Sequence, residues 1–303
     1  MKLFYHPIYS ELDLPPHHRF PIDKYRLLFE RVMSHKDAKE HFELNCADAA
    51  TPNDILRAHS QQYVTDFLQG TLSPQQQKRI GFPYSHTLVA RTLQSVGNTM
   101  AAAKAALQCG LSINLAGGYH HAFADYGSGY CIFNDAAIAA RFLIEEQLAH
   151  TVLIVDLDVH QGDGSAAILE DDSDIITLSL HGEQNFPRIK QHSDYDLALP
   201  NGCDDDTYLD TLDQALNLTI RLHDPDIIIY NAGADVYNED ELGVLALTLD
   251  GVRRRDTLVI ETAKHYDIPL ACVLGGGYQR DVHKVVDVHW QLLLSAHQAY
   301  NGI

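Results

Sequence analysis

Thr151-Val152-Leu153-Ile154-Val155-Asp156-Leu157-Asp158-Val159-His160-Gln161-Gly162-Asp163-Gly164 begins as an apolar run and passes into alternating acid and imidazole groups before a glycine-rich turn. The apolar half reads as a strand of a parallel sheet, covered on both faces. Side chains alternate along a strand, so Asp156, Asp158 and His160 are expected to leave on one side. The C-terminal end of such a strand lies at the crevice where open α/β proteins hold their ligands. A carboxylate and an imidazole two residues apart, aimed into that crevice, are ready ligands for a divalent metal.

Working outward, the same punctuation recurs. Short apolar runs at 112–116, 175–180, 226–231 and 270–274 end near Gly, His or Asp. Helical periodicity fills 86–108, 134–148, 205–223, 250–265 and 281–297. This alternation predicts an α/β fold, a single open parallel sheet with helices on both faces. The first 80 residues, with prolines at 15, 16, 21, 52 and 74, are less regular. No linker and no repeat interrupts the 303 residues, so one domain spanning 1–303 is expected.

Composition narrows the function classes. A formal net charge of −19 disfavours a direct grip on nucleic acid, which needs a basic surface. It is compatible with cationic partners such as lysine-rich peptides or polyamines. No apolar run reaches membrane-spanning length, and the N-terminus lacks the regions of a signal peptide. The five cysteines, at 46, 109, 131, 203 and 272, are scattered, with no CxxC. That spacing indicates free thiols in a reducing compartment, hence a cytoplasmic location with no membrane partner.

Four strand ends carry polar groups that suit one site. Gly117-Gly118-Tyr119-His120-His121 follows the run at 112–116. The acid and imidazole run follows 151–155, and Asn231-Ala232-Gly233-Ala234-Asp235 closes 226–231. Gly275-Gly276-Gly277-Tyr278 follows 270–274. Asp158, His160 and Asp235 make a three-ligand set of the kind that leaves a catalytic metal an open position. His120 and His121 are candidate acid and base beside it. Asp156 and Asp163 are candidates to orient those imidazoles and raise their basicity. Tyr278 is a neutral donor for a developing oxyanion. Each feature alone has a bland reading, a surface His pair, a helix cap or a packed tyrosine; together they outline metal-assisted amide hydrolysis.

These motifs, with Tyr130-Cys131-Ile132-Phe133-Asn134-Asp135 and Thr177-Leu178-Ser179-Leu180-His181, resemble the histone deacetylase superfamily and its arginase/deacetylase fold. The likeness runs in order from His17 to the C-terminal helix. It is nearest to class IV deacetylases and their bacterial relatives, through His18-Arg19-Phe20-Pro21, Ile80-Gly81-Phe82-Pro83, Gln161 and Gly276-Gly277-Tyr278-Gln279. The resemblance implies about eight strands, Zn2+ (or Fe2+) on Asp158, His160 and Asp235, and a general base at His121. It implies a structural K+ on Asp156, Asp158, His160, Ser179 and Leu180. It also implies a substrate tunnel with Gly118, Tyr130, Phe186 and Leu242, and Arg19 near an internal product channel. The implied substrate is an acylated lysine of a peptide or protein, or another acylated amine.

Several positions depart from the family pattern. Tyr130 stands for a Phe, Gln161 for a second His, and Asp163 for the Asn of many class IV-like sequences, which implies a more basic His121. The acidic loop residue that grips a substrate backbone in many relatives has no match near Pro83-Tyr84-Ser85. Polyamine-selective enzymes carry a Glu where Leu242 stands, although Glu239, Asp240 and Glu241 are close by. An arginase-like two-manganese site would need more carboxylates, and a non-catalytic acyl-binding relative would lack a ligand or the tyrosine.

Overall fold

The computed structural model describes residues 1–301, with backbone alone at 37–39 and 301. Eight strands form one parallel sheet: β1 (Lys2–Phe4), β2 (Glu43–Asn45), β3 (Leu111–Asn114), β4 (Val152–Asp156), β5 (Ile175–Gly182), β6 (Tyr195–Leu199), β7 (Ile227–Asn231) and β8 (Leu270–Val273). Their order is β2-β1-β3-β8-β7-β4-β5-β6. Every residue of β3, β4, β5, β7 and β8 is buried, which explains their near-continuous Ile, Val and Leu content.

Helices cover the sheet in two groups. His86–Cys109 packs on Asp135–Glu145, while Leu249–His265 packs between Asp205–His223 and Val282–Asn301. Their starts follow local chemistry. Asn134 Oδ1 accepts from Ala137 N, Asp204 Oδ1 from Thr207 N, and Thr248 Oγ1 from Gly251 N, each at 3.0 Å.

The register sets the site. Asp156 lies opposite Asn231 on one side and Ser179 on the other, and Asn231 lies opposite Val273. Val273 in turn lies opposite Asn114, so the ends of β3, β8, β7 and β4 are level, and the loops after them share one rim. The chain leaves β4 toward β5 and leaves β7 toward β8, in opposite directions. The gap between β4 and β7 is thus the point where strand order reverses, and a crevice opens there.

Two expectations change. The irregular first 80 residues contain β1 and β2, three-residue strands too short to show a period of two, and the edge strand β6 alternates in burial. Strand β4 also stops at Asp156, so alternation does not bring Asp158 and His160 onto its face. The chain instead turns: Asp156 Oδ1 accepts from Asp158 N at 3.2 Å, and Asp158 Oδ1 accepts from His160 N at 3.0 Å. Each carboxylate holds the backbone two residues on, and these successive turns curl the segment into the crevice.

Candidate active site

Asp158, His160 and Asp235 converge from the loops after β4 and β7, all three buried, with donor atoms within 4.8 Å of one another. Both Asp158 oxygens accept backbone N–H groups, whereas Asp235 has one oxygen anchored and one free. Asp158 Oδ2 accepts from Gly276 N at 2.7 Å, and Asp235 Oδ1 from Val159 N at 2.9 Å. That leaves Asp158 Oδ1 and Asp235 Oδ2 at 2.9 Å and 3.2 Å from His160 Nδ1. Asp235 Oδ2 is buried yet makes no hydrogen bond of good geometry. Burial and the Asp158 charge push Asp235 up to about 7. Burial opposes a charge on His160, but Asp158 and Asp235 outweigh it and raise the ring to about 10. Two carboxylates and an imidazole facing one point, with a buried oxygen unsatisfied, fit a divalent cation.

Beside this triad stand two imidazole–carboxylate pairs. His120 Nδ1 meets Asp156 Oδ2, and His121 Nδ1 meets Asp163 Oδ1, each at 2.6 Å. The rings lie 4.0 Å apart between centroids, and His120 Nε2 lies 3.8 Å from Asp158 Oδ1. Burial disfavours charge on both, but they titrate apart. Asp156 and Asp158 outweigh burial at His120 and raise it to about 9. At His121 burial, then the neighbouring His120, outweigh Asp163 and lower it to about 4. Asp163 acts in the expected direction, raising His121, while burial next to a cationic ring sets the net shift downward.

A cavity of about 210 Å³ leads down to the triad, lined by His121, Gly129, Tyr130, His160, Phe186, Leu242 and Tyr278, with Asn185 completing the wall. The structure thus brings Tyr130, Phe186 and Leu242 together. Asn185 Nδ2 donates to Leu242 O at 2.8 Å, joining two walls. Gln161 holds the same flank, donating to Gln191 O and Asp196 Oδ1 at 2.8 Å each. Gly118 is not part of this wall. It lies deeper, where a Cβ would stand 2.5 Å from Gly275 Cα, and Gly129 occupies the wall position instead. For the implied K+ set, register places Ser179 beside Asp156, and Ser179 Oγ is 3.0 Å from His181 Nδ1.

Arg19 lines a further cavity of about 270 Å³ with Phe20 and Tyr278. It is partly exposed and pairs with Glu241 at 3.0 Å. The buried cation under the site is Lys24, whose Nζ donates to Gly275 O at 3.0 Å. Burial lowers Lys24 to about 8 against the pull of Asp235, Asp158 and Asp240.

Against this geometry, residues 18–293 match the family model described as histone deacetylase domain. The chain belongs to the histone deacetylase family. It is 45% identical over 298 residues to an uncharacterized protein of Picosynechococcus, covering 98% of each chain. It is 36% identical to histone deacetylase 2 of Arabidopsis thaliana, over 64% of this chain and 51% of that one. The acetoin utilization protein AcuC of Bacillus subtilis is 32% identical, over 64% and 54%. The crystal structure of the HDA15 HD domain superposes with a TM-score of 0.80 at 18% identity, covering 100% of this chain and 92% of that one, a likeness of fold. The family implies hydrolytic deacetylation and is generally zinc-dependent, and the buried triad offers such an ion a place.

The supporting roles of four residues of this deacetylase escaped the reading of the sequence. Asn231 Nδ2 donates to Asp156 Oδ1 at 2.8 Å and so steadies the partner of His120. Asp240 turns inward, accepting from Tyr278 N at 2.6 Å and Leu242 N at 2.9 Å. Lys24 is the third. The fourth, Arg255, is fully buried, salt-bridged to Asp256, and donates to Gly233 O at 2.6 Å and Leu157 O at 3.3 Å. It ties together the two loops that carry the triad. Asn231 and Asp240 lie within a few residues of Asp235, whereas Lys24 and Arg255 lie far off in the chain.

Proposed function

We propose that the protein is a metal-dependent deacylase of acylated lysine side chains, with Zn2+ (or Fe2+) held by Asp158, His160 and Asp235. The observation that carries this reading is a mostly apolar cavity that descends onto a buried carboxylate–imidazole–carboxylate triad flanked by two His–Asp pairs. When bound, the metal would supply Lewis acidity toward the acyl carbonyl and water. The walls at Tyr130, Phe186 and Leu242 bury the aliphatic stem of the lysine. His121, neutral at physiological pH, accepts a proton from the attacking water at Nε2 while Asp163 holds Nδ1. His120, cationic through Asp156, delivers a proton from Nε2 to the departing amine. The Tyr278 hydroxyl remains protonated, because burial and the charges of Asp158 and Asp235 raise its pKa well above the usual value. It donates to the developing oxyanion. A structural K+ on the Asp156, Asp158, His160, Ser179 and Leu180 set would sit behind this machinery.

Lysine is favoured over acetylpolyamine by the state of the rim acids. Glu239 pairs with Lys284 at 2.6 Å, Glu241 with Arg19 at 3.0 Å, and Asp240 faces inward. None is left to receive a distant ammonium. The five free cysteines fit a cytoplasmic setting. No helix among the described residues is long and apolar enough to cross a membrane. The test is acetate release from acetyl-lysine peptide by metal-loaded protein, beside Asp235→Ala. Wild type is expected to turn over, and the variant to lose metal and activity together. A full metal complement in an active variant removes Asp235 from the ligand set.

A further inference from the structure

Tyr278 lines two cavities, the tunnel and a neighbouring one of about 270 Å³. The walls of the second come from residues 17–23 and from Tyr278, Gln279, Arg280 and Val282. Its two guanidiniums share one carboxylate. Glu241 Oε2 stands 3.0 Å from Arg19 Nη1 and 3.4 Å from Arg280 Nε. The acid in the wall, Asp23, is engaged elsewhere, with Oδ1 3.1 Å from Arg26 Nη2. Two guanidiniums against one shared carboxylate leave this cavity positive, in a chain whose net charge is −19.

Two buried donors of the same wall lack a protein acceptor. Gln279 is 4% exposed, and its Nε2 makes no hydrogen bond. Arg19 Nε is likewise buried and unbonded, although Nη1 of the same side chain reaches Glu241. Leaving a buried donor unsatisfied is costly, so paired donors beside excess positive charge fit an anionic acceptor. The wall is preset for one. His18 pins it with both ring nitrogens, Nε2 lying 2.9 Å from Gly81 O and Nδ1 accepting from Phe20 N at 3.2 Å. Its ring also stacks on Phe82, 5.7 Å between centroids. Position relative to the tunnel selects the source of the anion. Glu241 directly precedes Leu242 of the tunnel wall, Tyr278 is common to both cavities, and the Arg280 side chain is 62% exposed. A peptide whose acylated lysine descends between Tyr278 and Leu242 therefore carries its neighbouring side chains past Arg280.

We propose that this cavity is a carboxylate subsite, in which Arg19, Arg280 and Gln279 direct the enzyme to acyl-lysines flanked by an aspartate or glutamate. The proposal rests on the deacylase reading above and specifies its substrate. The incoming carboxylate meets the guanidinium edges that Glu241 leaves uncovered and accepts from Gln279 Nε2. The test is kcat/KM, and in parallel Kd, with metal-loaded full-length protein. The substrates are acetyl-lysine peptides carrying Glu or Gln at each position within two residues of the lysine. Glu is expected to exceed Gln about threefold or more at one of these positions, with an advantage that falls in added salt. The overall charge of the protein would by itself disfavour the Glu peptide, so a preference for it reports a local site. Arg280→Gln is expected to erase the preference and Arg280→Lys, which keeps the charge, to retain part of it. Gln279→Leu, which keeps the bulk without the donor, is expected to shrink the Glu-to-Gln ratio. A merely structural role for either residue would lower both peptides alike and leave the ratio unmoved, which would remove that residue from the subsite. Equal kcat/KM for Glu and Gln peptides at every position overturns the subsite while leaving the deacylase reading intact. Failure of every peptide to bind and to react overturns the deacylase reading itself.

Discussion

Gly276→Ala is a sharp test of how the triad is built. Gly276 presses its backbone against both carboxylates, donating N–H to Asp158 Oδ2 at 2.7 Å. A Cβ there would stand 2.7 Å from Asp158 Oδ2 and 2.8 Å from Asp235 Cγ, and nearer still to Asp235 Oδ2. Real Cβ atoms essentially never come within 3.0 Å. Asp235 Oδ2 therefore has to move by about 1 Å or more, a displacement that costs roughly 10²-fold where geometry is catalytic. Neither carboxylate can yield freely, since Asp235 Oδ1 is held by Val159 N and Asp158 Oδ1 by His160 N. Overpacking of this kind also costs about 1–3 kcal/mol of stability. The expected result is a folded protein, lower in melting temperature, whose affinity for Zn2+ and whose kcat both fall about 10²-fold or more. Metal titration by calorimetry, thermal unfolding of the apo protein and turnover of acetyl-lysine peptide measure the three effects. Wild-type metal affinity in Gly276→Ala would refute the close approach of this loop to the triad.

Other expectations follow from the same geometry. Tyr278→Phe keeps fold and metal but loses about 10²–10³ in kcat; a wild-type kcat removes the hydroxyl from the reaction. Arg255→Lys, which cannot bridge Gly233 O and Leu157 O while paired with Asp256, is expected to weaken metal binding about tenfold, and unchanged affinity would separate Arg255 from the triad. His59 is buried and accepts from Asn134 N at 2.8 Å through Nε2, so it must stay neutral, and burial lowers it to about 4. A His depressed below its unfolded value contributes stability that is present above pH 6.5 and lost as pH falls toward 4, about 3 kcal/mol in all; denaturant titrations at pH 7 and pH 5 should show this fall, and His59→Gln should lessen it. If the variant keeps the full slope, the loss belongs to other groups. Leu242→Glu places a carboxylate on the tunnel wall and should shift kcat/KM toward N8-acetylspermidine, with a gain that shrinks in added salt; an unchanged or salt-independent ratio would show that this position does not read the distal charge.

The donors themselves were legible in one dimension. Asp156 to Gly164, Asn231 to Asp235, and Gly275 to Tyr278 each follow an apolar run, and strand ends of a parallel sheet must share a rim. Residue types in short windows therefore sufficed for the α/β class, for the triad and for Asp156 and Asp163 as partners of the two imidazoles, and the structure pairs Asp156 with His120 and Asp163 with His121. What those windows could not contain is aim. The Gly276 N–H that fixes Asp158 comes from 118 residues away, and the Arg255 guanidinium that holds Leu157 O from 98 residues away. Lys24 beneath the triad, Asp240 under Tyr278 and the exchange of Gly129 for Gly118 on the tunnel wall are likewise products of packing. The division of His120 from His121 is of the same kind. Two adjacent imidazoles, each with its carboxylate, look alike in sequence; burial, Asp158 beside one ring and a cationic neighbour beside the other set one near 9 and the other near 4. Charge, burial and distance act through space, so only the folded chain could assign them.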